Sequence, residues 1–184
     1  GLPKETGMHI HISIAEQTLA LSDAHRREIR RYAVSTARNG AGEENGSFCT
    51  PRGRHLIRAK IGGGRVENTI FVRRRPTGEV YSREFAERFP GRDWILTRIL
   101  WLSGCEPGRN RLGSVDTMRR YIYIHGSPDS TPMGIPGSIG CIRMRNAELI
   151  ERLKTRMLEG PRTPTGWRLL GFCRGAVENE WRPL

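Results

Sequence analysis

The sequence predicts a mostly β fold with one or two helices, within one domain of a 184-residue chain. Its 22 glycines and 11 prolines indicate many turns, which is typical of short strands rather than of a helical bundle. In addition, apolar residues alternate along several segments with the two-residue period of half-buried strands, whereas helical spacing occurs at two places.

The N-terminal third is predicted to consist of strands and polar turns. Residues 9–23 alternate apolar and polar positions on both sides of a short turn, which predicts a β-hairpin. The next strand is expected within 27–37, followed by a loop over 38–47 that lacks the glycine patterns of phosphate-binding loops. Residues 50–62 predict a turn and a further strand.

The middle of the chain combines strands with one short helix. Residues 68–82 predict a strand and a turn at the Pro-Thr-Gly-Glu sequence of 76–79. A short helix is expected after Ser82, its N-cap, and before Pro90, which stops it. The apolar run of 93–104 fits a central strand buried on both faces, although a short buried helix has a similar composition.

The next elements surround a histidine and a cysteine. Residues 119–126 alternate tyrosine and isoleucine, which predicts a strand that ends at His125. After Cys141 the apolar period becomes that of a helix, with Asn146 as its N-cap and Gly160 just past its end. We therefore expect a strand, a loop rich in glycine and proline, and then a helix.

The domain boundaries follow from these patterns. We expect one domain over residues 8–158 and a tail over 159–184 whose weak periodicity does not predict its packing. Met8 directly precedes the first strand pattern, which favours Met8 as the natural start and residues 1–7 as an added segment. No secretory signal is recognisable. A cytoplasmic location is expected on that basis, and a periplasmic or cell-envelope one if an export signal has been removed.

The charge of the chain bears on its partners. The formal net charge is +12, from 31 basic and 19 acidic side chains, and such a surface attracts anionic polymers. The basic residues are dispersed, as expected of a solvated surface, so no nucleic-acid partner is predicted. No apolar run reaches the length of a membrane span.

The cysteines and histidines do not form a recognisable metal pattern. Cys49, Cys105, Cys141 and Cys173 are far apart and include no C-x-x-C pair, so we expect mostly free thiols and a reducing compartment. His9 and His11 share one face of a strand but have no third ligand nearby in the sequence. Neither a metal nor an organic cofactor is predicted.

One stretch, residues 124–146, combines the groups needed for nucleophilic chemistry. His125 is followed sixteen positions later by Cys141, and Gly140 allows a tight turn whose N–H groups face one concavity. Arg143 and the following helix start are expected to lower the thiol pKa. His125 would take the thiol proton, and the N–H groups of Gly140 and Cys141 would stabilise an oxyanion. On spacing alone, a purely structural role for both residues remains an alternative.

The motifs of this stretch resemble those of a known family. The sequence "YIYIHG" followed by "GIPGSIGCIRMRN" closely resembles the catalytic signature of the L,D-transpeptidase family, the YkuD domain. The segments "VSTARNG", "GSFCTPRGRHLI", "KIG", "PTGE" and "RDWILTRILWL" resemble the family in the same order, so the resemblance covers roughly residues 8–155. It implies a β-sandwich-like catalytic domain with a helix near the cysteine.

The resemblance also implies roles for individual residues. Cys141 matches the family nucleophile and His125 its general base, oriented by a backbone carbonyl near Gly126 or Ser127. The remaining matches form the turn before the nucleophile and an arginine that supports the site: Ser138, Gly140 and Arg143.

The reaction implied by the resemblance is acyl transfer on peptidoglycan stem tetrapeptides. The thiolate would attack the carbonyl before the terminal D-alanine and release that residue, and an amine or water would then accept the acyl group. The basic surface suits an acidic stem peptide. No cofactor is implied.

Two departures from the family pattern keep other functions open. Ile139 stands where the family usually has histidine, and the tail lacks the short Gly-Thr-Pro-Val strand that often closes the domain. One alternative is a cytosolic L,D-carboxypeptidase that trims muropeptides during peptidoglycan recycling. Another, of a different class, is an inactive basic binding module.

Overall fold

A computed structural model describes residues 9–150, 162–163 and 166–174 of the chain. Within these residues the backbone is predominantly β, which confirms the predicted fold class. A short helix, α1, spans Arg83–Glu87, a single 3-10 turn spans Gly113–Val115, and residues 146–150 are helical. The strands are β1 (His9–Ser13), β2 (Thr18–Ser22), β3 (Glu28–Ala33), β4 (Gly53–Ile61), β5 (Thr69–Val72), β6 (Arg75–Val80), β7 (Ile95–Gly104), β8 (Tyr123–Ser127), β9 (Ile142–Arg145), β10 (Arg162–Thr163) and β11 (Gly166–Arg174).

The strands form one branched sheet. Its main path runs β3-β2-β1-β11-β4-β7-β5-β6, and β8 branches from β7 and continues to β9. The β1–β11 and β8–β9 pairs are parallel, and the other pairs on these paths are antiparallel. The ten-residue strand β7 pairs with β4, β5 and β8, so it lies at the branch point.

Three predictions from periodicity are confirmed. The first is the hairpin of β1 and β2, whose buried positions include Ile10, Ile12, Leu19 and Leu21. The second is the central strand β7, where burial on both faces fits the near-continuous apolar run. The third is α1, where the Ser82 hydroxyl accepts a hydrogen bond from the Phe85 N–H at 3.0 Å.

The turn expected at Pro-Thr-Gly-Glu was placed wrongly. The β5–β6 hairpin turns instead at Arg73 and Arg74, both with positive φ (49° and 65°), and residues 76–79 lie within β6. Pro76 is compatible with β6 because this strand ends the sheet path and needs no complete set of ladder donors. The pairing of Val72 with Arg75 therefore overrides the turn propensity of proline and glycine.

Two elements near the cysteine also differ from expectation. His125 is the third residue of the five-residue strand β8, rather than its end, because Gly126 and Ser127 continue the pairing with β9. A strand that the sequence did not predict, β9, lies between Cys141 and the helix at 146–150. Its four residues are too few to show a strand period. The expected helix end at Gly160 lies outside the described residues.

Buried apolar side chains form one main cluster and two smaller ones. The main cluster joins β1 and β2 to β8, β9 and the residues at 146–150, and it includes Ile10, Leu19, Ile124, Ile142, Met144 and Leu149. The second cluster contains Ile70, Trp94 and Leu96, with Tyr81, Phe85 and Ala86 packed against it. The third contains Phe71, Ile99 and Tyr123, and Cys141 packs against it.

The C-terminal strand β11 lies between β1 and β4 in the sheet path. It pairs in parallel with β1 and antiparallel with β4, so residues 166–174 take part in the sheet. The expected division of the chain at residue 158 stays a prediction. In the described part of the chain no helix is long and apolar enough to cross a membrane.

A buried histidine joins β4 to the segment before β8. His55 is 3% exposed, its Nδ1 lies 3.0 Å from the Gly53 carbonyl oxygen, and its Nε2 lies 2.9 Å from Thr117 Oγ1. The Nδ1 atom donates to the carbonyl, so Nε2 accepts from the hydroxyl and the ring is neutral. Burial lowers the pKa of His55 to about 4, because the charged form is poorly solvated there.

We predict that His55 makes the fold sensitive to acid. Its folded pKa lies below its unfolded value, so the unfolded chain binds more protons between about pH 4 and 6.5, and the free energy of unfolding falls as pH decreases through that window. The loss should reach roughly 3 kcal/mol. Urea unfolding at several pH values should show a flatter slope for His55→Gln than for the parent chain. His25→Gln is the matched control at an exposed histidine, and equal slopes in all three proteins would contradict the prediction.

Candidate active site

Parallel strands bring the predicted histidine and cysteine together. In the β8–β9 register, Ile124 pairs with Ile142 and His125 pairs with Arg143. Cys141 directly precedes β9, so it lies at the start of the strand adjacent to the one that bears His125. The sixteen-residue separation in sequence thus becomes a separation of one strand in space.

The imidazole of His125 is oriented by the backbone that follows it. The side chain is fully buried, and Nδ1 lies 2.6 Å from the Gly126 carbonyl oxygen. Nδ1 must donate in this contact, so Nε2 carries the lone pair, and Nε2 has no hydrogen-bond partner among the described residues. Burial lowers the pKa of His125, which keeps the ring neutral. The sequence left the orienting carbonyl open between Gly126 and Ser127, and the structure places that of Gly126 at the ring.

A polar network packs behind Gly126. A Cβ at this position would lie 2.6 Å from the Leu96 carbonyl oxygen and would overlap the Asn146 side chain, so the close approach requires glycine. Thr97 Oγ1 donates to Asn146 Oδ1 at 2.7 Å, and Asn146 Nδ2 donates to Asn68 Oδ1 at 2.8 Å. The sequence predicts Asn146 only as a helix cap and gives no signal for this network, since its members come from three distant segments.

The thiol of Cys141 lies between two backbone groups of the segment that enters β8. Its Sγ accepts from the Tyr123 N–H at 3.3 Å and contacts the Tyr121 carbonyl oxygen at 3.4 Å. Burial raises the pKa of Cys141 to about 12 and outweighs the Tyr123 N–H and the positive charges of Arg143 and Arg120. The expected lowering of the thiol pKa was therefore wrong. Strand β9 also separates the thiol from the helix at 146–150.

The turn before Cys141 is held by the Ser138 hydroxyl. Ser138 is buried, and its Oγ donates to the Cys141 carbonyl oxygen at 2.5 Å and accepts from the Gly140 N–H at 3.2 Å. Thr50 Oγ1 donates to the Gly140 carbonyl oxygen at 2.9 Å. Gly140 has φ +137°, and a Cβ there would lie 3.0 Å from Ile122 Cδ1. Both the backbone conformation and the close packing therefore favour glycine at this position.

Arg143 belongs to an ion pair that the sequence did not predict. Its guanidinium Nη2 lies 2.5 Å from Asp93 Oδ1, with the two side chains 17% and 29% exposed. Its backbone pairs with Ser35 through N–H···O contacts of 2.9 and 3.0 Å. Trp94, next to Asp93, packs in the cluster with Ile70 and Leu96 and so holds the carboxylate in place. No sequence signal identifies this pair, because fifty positions separate its members.

A second arginine near the thiol binds a loop rather than an acid. Arg120 is half-buried, and its guanidinium donates to the carbonyl oxygens of Gly42, Glu43 and Cys49 at 3.1, 3.2 and 2.6 Å. Because the Cys49 carbonyl lies beside Gly140, Arg120 joins the loop of residues 42–49 to the turn before Cys141. Its sequence context, a dispersed basic segment, did not distinguish it.

The residue that departs from the family pattern has an exposed side chain. Ile139 is 48% exposed, and the buried positions on either side of it are Ser138 and Gly140. The described part of the chain holds no group of three or more residues able to ligate a metal, and His9, one half of the H-x-H pair, is 7% exposed.

The site combines a thiol with a neutral imidazole on the adjacent strand. The imidazole is buried and its Nε2 has no partner among the described residues, whereas the thiol is partly buried and protonated, with a backbone N–H and guanidinium groups around it. A thiol and a histidine base are the groups that cysteine-dependent acyl transfer requires.

Comparisons with known proteins identify the family and similar folds. A family model described as the L,D-transpeptidase catalytic domain, YkuD, matches residues 7–165. The fold is similar to an L,D-transpeptidase from Xylanimonas cellulosilytica, with 19% identity, TM-score 0.50, and coverage of 92% of this chain and 62% of that one. It is also similar to L,D-transpeptidase 3 from Mycobacterium tuberculosis in complex with a faropenem-derived adduct, with 13% identity, TM-score 0.51, and coverage of 91% and 60%.

At these identities the likeness is one of fold, and the chain spans about three fifths of the length of these two structures. No curated protein matches the chain in sequence.

We predict that Gly126→Ala destabilises the fold. The added methyl group would overlap the Asn146 side chain and the Leu96 carbonyl, so the free energy of unfolding should fall by about 1–3 kcal/mol. Denaturant unfolding measures this change. Gly63→Ala is the matched control, because a Cβ there meets nothing within 4 Å. A Gly126→Ala protein as stable as the control would contradict the packing described here.

We also predict that Cys141 is a protonated thiol in the resting protein. With a pKa of about 12, its alkylation by iodoacetamide at pH 8 should be at least about 100-fold slower than in the unfolded chain. The rate should rise roughly tenfold per pH unit as thiolate forms. Peptide-resolved mass spectrometry separates Cys141 from the other cysteines. Fast alkylation that does not change from pH 6 to 8 would instead indicate a thiolate–imidazolium pair.

Proposed function

The chain belongs to the L,D-transpeptidase catalytic domain family, and on this premise we propose that it is a cysteine-dependent acyl transferase. Its substrates are the stem tetrapeptides of peptidoglycan, and Cys141 is its nucleophile. The observation that supports this most is the state of His125, a buried neutral imidazole oriented through Nδ1 with Nε2 free among the described residues. His55, by contrast, is a buried histidine whose two nitrogens both have partners.

The first half of the reaction forms the acyl-enzyme. Sγ of Cys141 attacks the carbonyl carbon that precedes the terminal D-alanine, and His125 Nε2 takes the thiol proton as the C–S bond forms. Because the thiol pKa is about 12, proton removal accompanies the attack rather than preceding it. The tetrahedral intermediate then expels the amine, which receives its proton from the imidazolium, and D-alanine leaves.

The oxyanion of the intermediate is stabilised by the N–H groups of Gly140 and Cys141. In the resting structure the Gly140 N–H donates to Ser138 Oγ at 3.2 Å, which is a long contact to a neutral acceptor. A negatively charged oxygen is the stronger acceptor, so it would draw this N–H toward itself. Ser138 keeps its bond to the Cys141 carbonyl and therefore still supports the turn.

Arg143 supports the site through position and charge. Its bond to Asp93 and its backbone pairing with Ser35 hold β9 and hence the start of the strand at Cys141. The guanidinium lowers the pKa of Cys141 and of His125, whereas Asp93 raises both, so the pair balances the two reacting groups. Ile139 takes no part in proton transfer in this proposal, because its exposed side chain has no titratable group.

The acceptor of the acyl group decides between two activities. An amine acceptor makes the protein a transpeptidase, and water makes it an L,D-carboxypeptidase. The second candidate is favoured by Cys49 and Cys105, which are both unpaired, as expected in a reducing compartment where muropeptides are trimmed.

We predict that a disaccharide-tetrapeptide is converted to the tripeptide through an adduct on Cys141. Cys141→Ala should abolish both adduct and D-alanine release, and His125→Gln should lower the rate by about 10²- to 10⁴-fold. Intact-protein and product mass spectrometry measure these changes. Faropenem is a second probe, because its β-lactam carbonyl acylates nucleophiles. Cys105→Ala is the control and should keep the parent activity.

The products distinguish the alternatives. Tripeptide alone, even with excess D-amino acid present, means that water accepts the acyl group. Exchange of the terminal residue or cross-linked dimers mean transpeptidation. If neither probe modifies Cys141, the acyl-transfer proposal is wrong, and retained binding to peptidoglycan sacculi would then indicate a binding module.

A further inference from the structure

A third arginine, on the turn of the β5–β6 hairpin, contacts the side chains of the segment that enters β8. The guanidinium carbon of Arg74 lies 4.5 Å from the ring centroid of Tyr121 and 4.9 Å from that of Trp101. Its Nη1 donates to the Tyr123 hydroxyl at 3.1 Å. The two rings of Trp101 and Tyr121 are 6.0 Å apart, so the guanidinium rests on an aromatic surface.

The residues that hold Arg74 are those that contact the thiol. Tyr121 and Tyr123 bind the guanidinium with their side chains, and their backbone atoms lie 3.4 and 3.3 Å from Cys141 Sγ. One short segment therefore contacts the thiol with its backbone and the arginine with its side chains, so a tyrosine side chain separates the guanidinium from the backbone groups at Sγ.

The charge of Arg74 has no acid beside it. The ion pairs among the described residues involve other arginines, and the partners of Arg74 are a phenol and two aromatic faces. Its side chain is half-buried, and one of its five N–H donors is used by Tyr123. A partly desolvated guanidinium in this state favours an anion that offers two acceptor oxygens.

The backbone conformation supports a role beyond packing. Arg73 and Arg74 both have positive φ, where a two-residue hairpin normally has asparagine and glycine. Such conformations cost free energy in residues other than glycine, and they concentrate at binding sites. The long side chain at position 74 is therefore held in a turn that does not favour it.

Resting on the proposed function, we propose that Arg74 binds the free carboxylate of the residue that leaves. That carboxylate carbon is three bonds from the scissile carbonyl carbon, a distance of under about 4 Å, so it must lie close to Sγ during attack. Arg74 then makes the protein specific for a donor peptide that ends one residue after the scissile bond. Peptides that lack this charge would be poor donors.

The test compares a disaccharide-tetrapeptide with its C-terminal amide, which keeps the scissile bond and removes the charge. Arg74→Gln should lower kcat/KM for the acid by about 10- to 100-fold, the cost of losing a charge-assisted hydrogen bond. Turnover of the amide should change by less than roughly threefold. Arg74→Lys should keep part of the preference for the acid. Arg75→Gln, at an exposed arginine of the same hairpin, removes the same charge and should behave like the parent chain.

Three outcomes would overturn the assignment. Equal losses of kcat/KM for the acid and the amide in Arg74→Gln would show that Arg74 only packs. An unchanged preference for the acid would show that another residue binds the carboxylate. The third outcome concerns a tetrapeptide whose side-chain carboxylates are amidated. If Arg74→Gln no longer lowers kcat/KM for this substrate, Arg74 binds a side-chain carboxylate and not the C-terminal one.

Binding separates this proposal from the proposed function. Calorimetry on Cys141→Ala, with and without Arg74→Gln, gives Kd for the acid and the amide without turnover. The parent chain could show no turnover and no Cys141 adduct while Arg74→Gln still removes the tighter binding of the acid. In that case the proposed acyl transfer is wrong, and binding of the carboxylate by Arg74 is supported. Absence of acid-selective binding in Cys141→Ala overturns the recognition itself.

Discussion

The parallel pairing of β8 with β9 is the constraint on which the candidate site depends. Parallel neighbours cannot be joined by a tight hairpin, so the chain must leave β8, cross over and return in the same direction. Residues 128–141 make this crossover, and its last turn carries Ser138, Gly140 and Cys141. Backbone contacts from Ser138 to Thr36 and Arg38 hold the crossover against the preceding segment. The pairing therefore determines both where the thiol lies and which strand it faces.

Burial of this pairing has electrostatic consequences. The Cys141 thiol and the His125 imidazole both lie where charge is poorly solvated, so the thiol pKa rises and the imidazole pKa falls, and the resting pair is neutral. A neutral pair needs a base that is already oriented, which explains why the Gly126 carbonyl and the Thr97–Asn146 network matter. Orientation is obtained here from backbone atoms and amides rather than from a carboxylate bonded to the histidine.

Three arginines in and near the candidate site have different kinds of partner. Arg143 is paired with an acid, Arg120 with backbone carbonyls, and Arg74 with aromatic rings and a phenol. In the first arrangement Asp93 opposes the effect of Arg143 on the thiol pKa. Arg120 adds a positive charge that also acts on the thiol, and the Arg74 guanidinium has no acid in the ion pairs of the described residues. Net composition alone, +12 for the chain, could not separate these cases, because most of its arginines lie on solvated surface.

The sequence by itself determined the β class, the hairpin of β1 and β2, the buried strand β7, the cap of α1 and the family signature around His125 and Cys141. These depend on local periodicity, capping and motifs, which need no distant contact. Only the tertiary structure decided the turn at Arg73 and Arg74, strand β9, the Asp93–Arg143 pair, the place of Arg74 and the direction of the Cys141 pKa. Each of these results from contacts or burial produced by segments far apart in the chain, and the free energy of such contacts has no local pattern that a sequence could display.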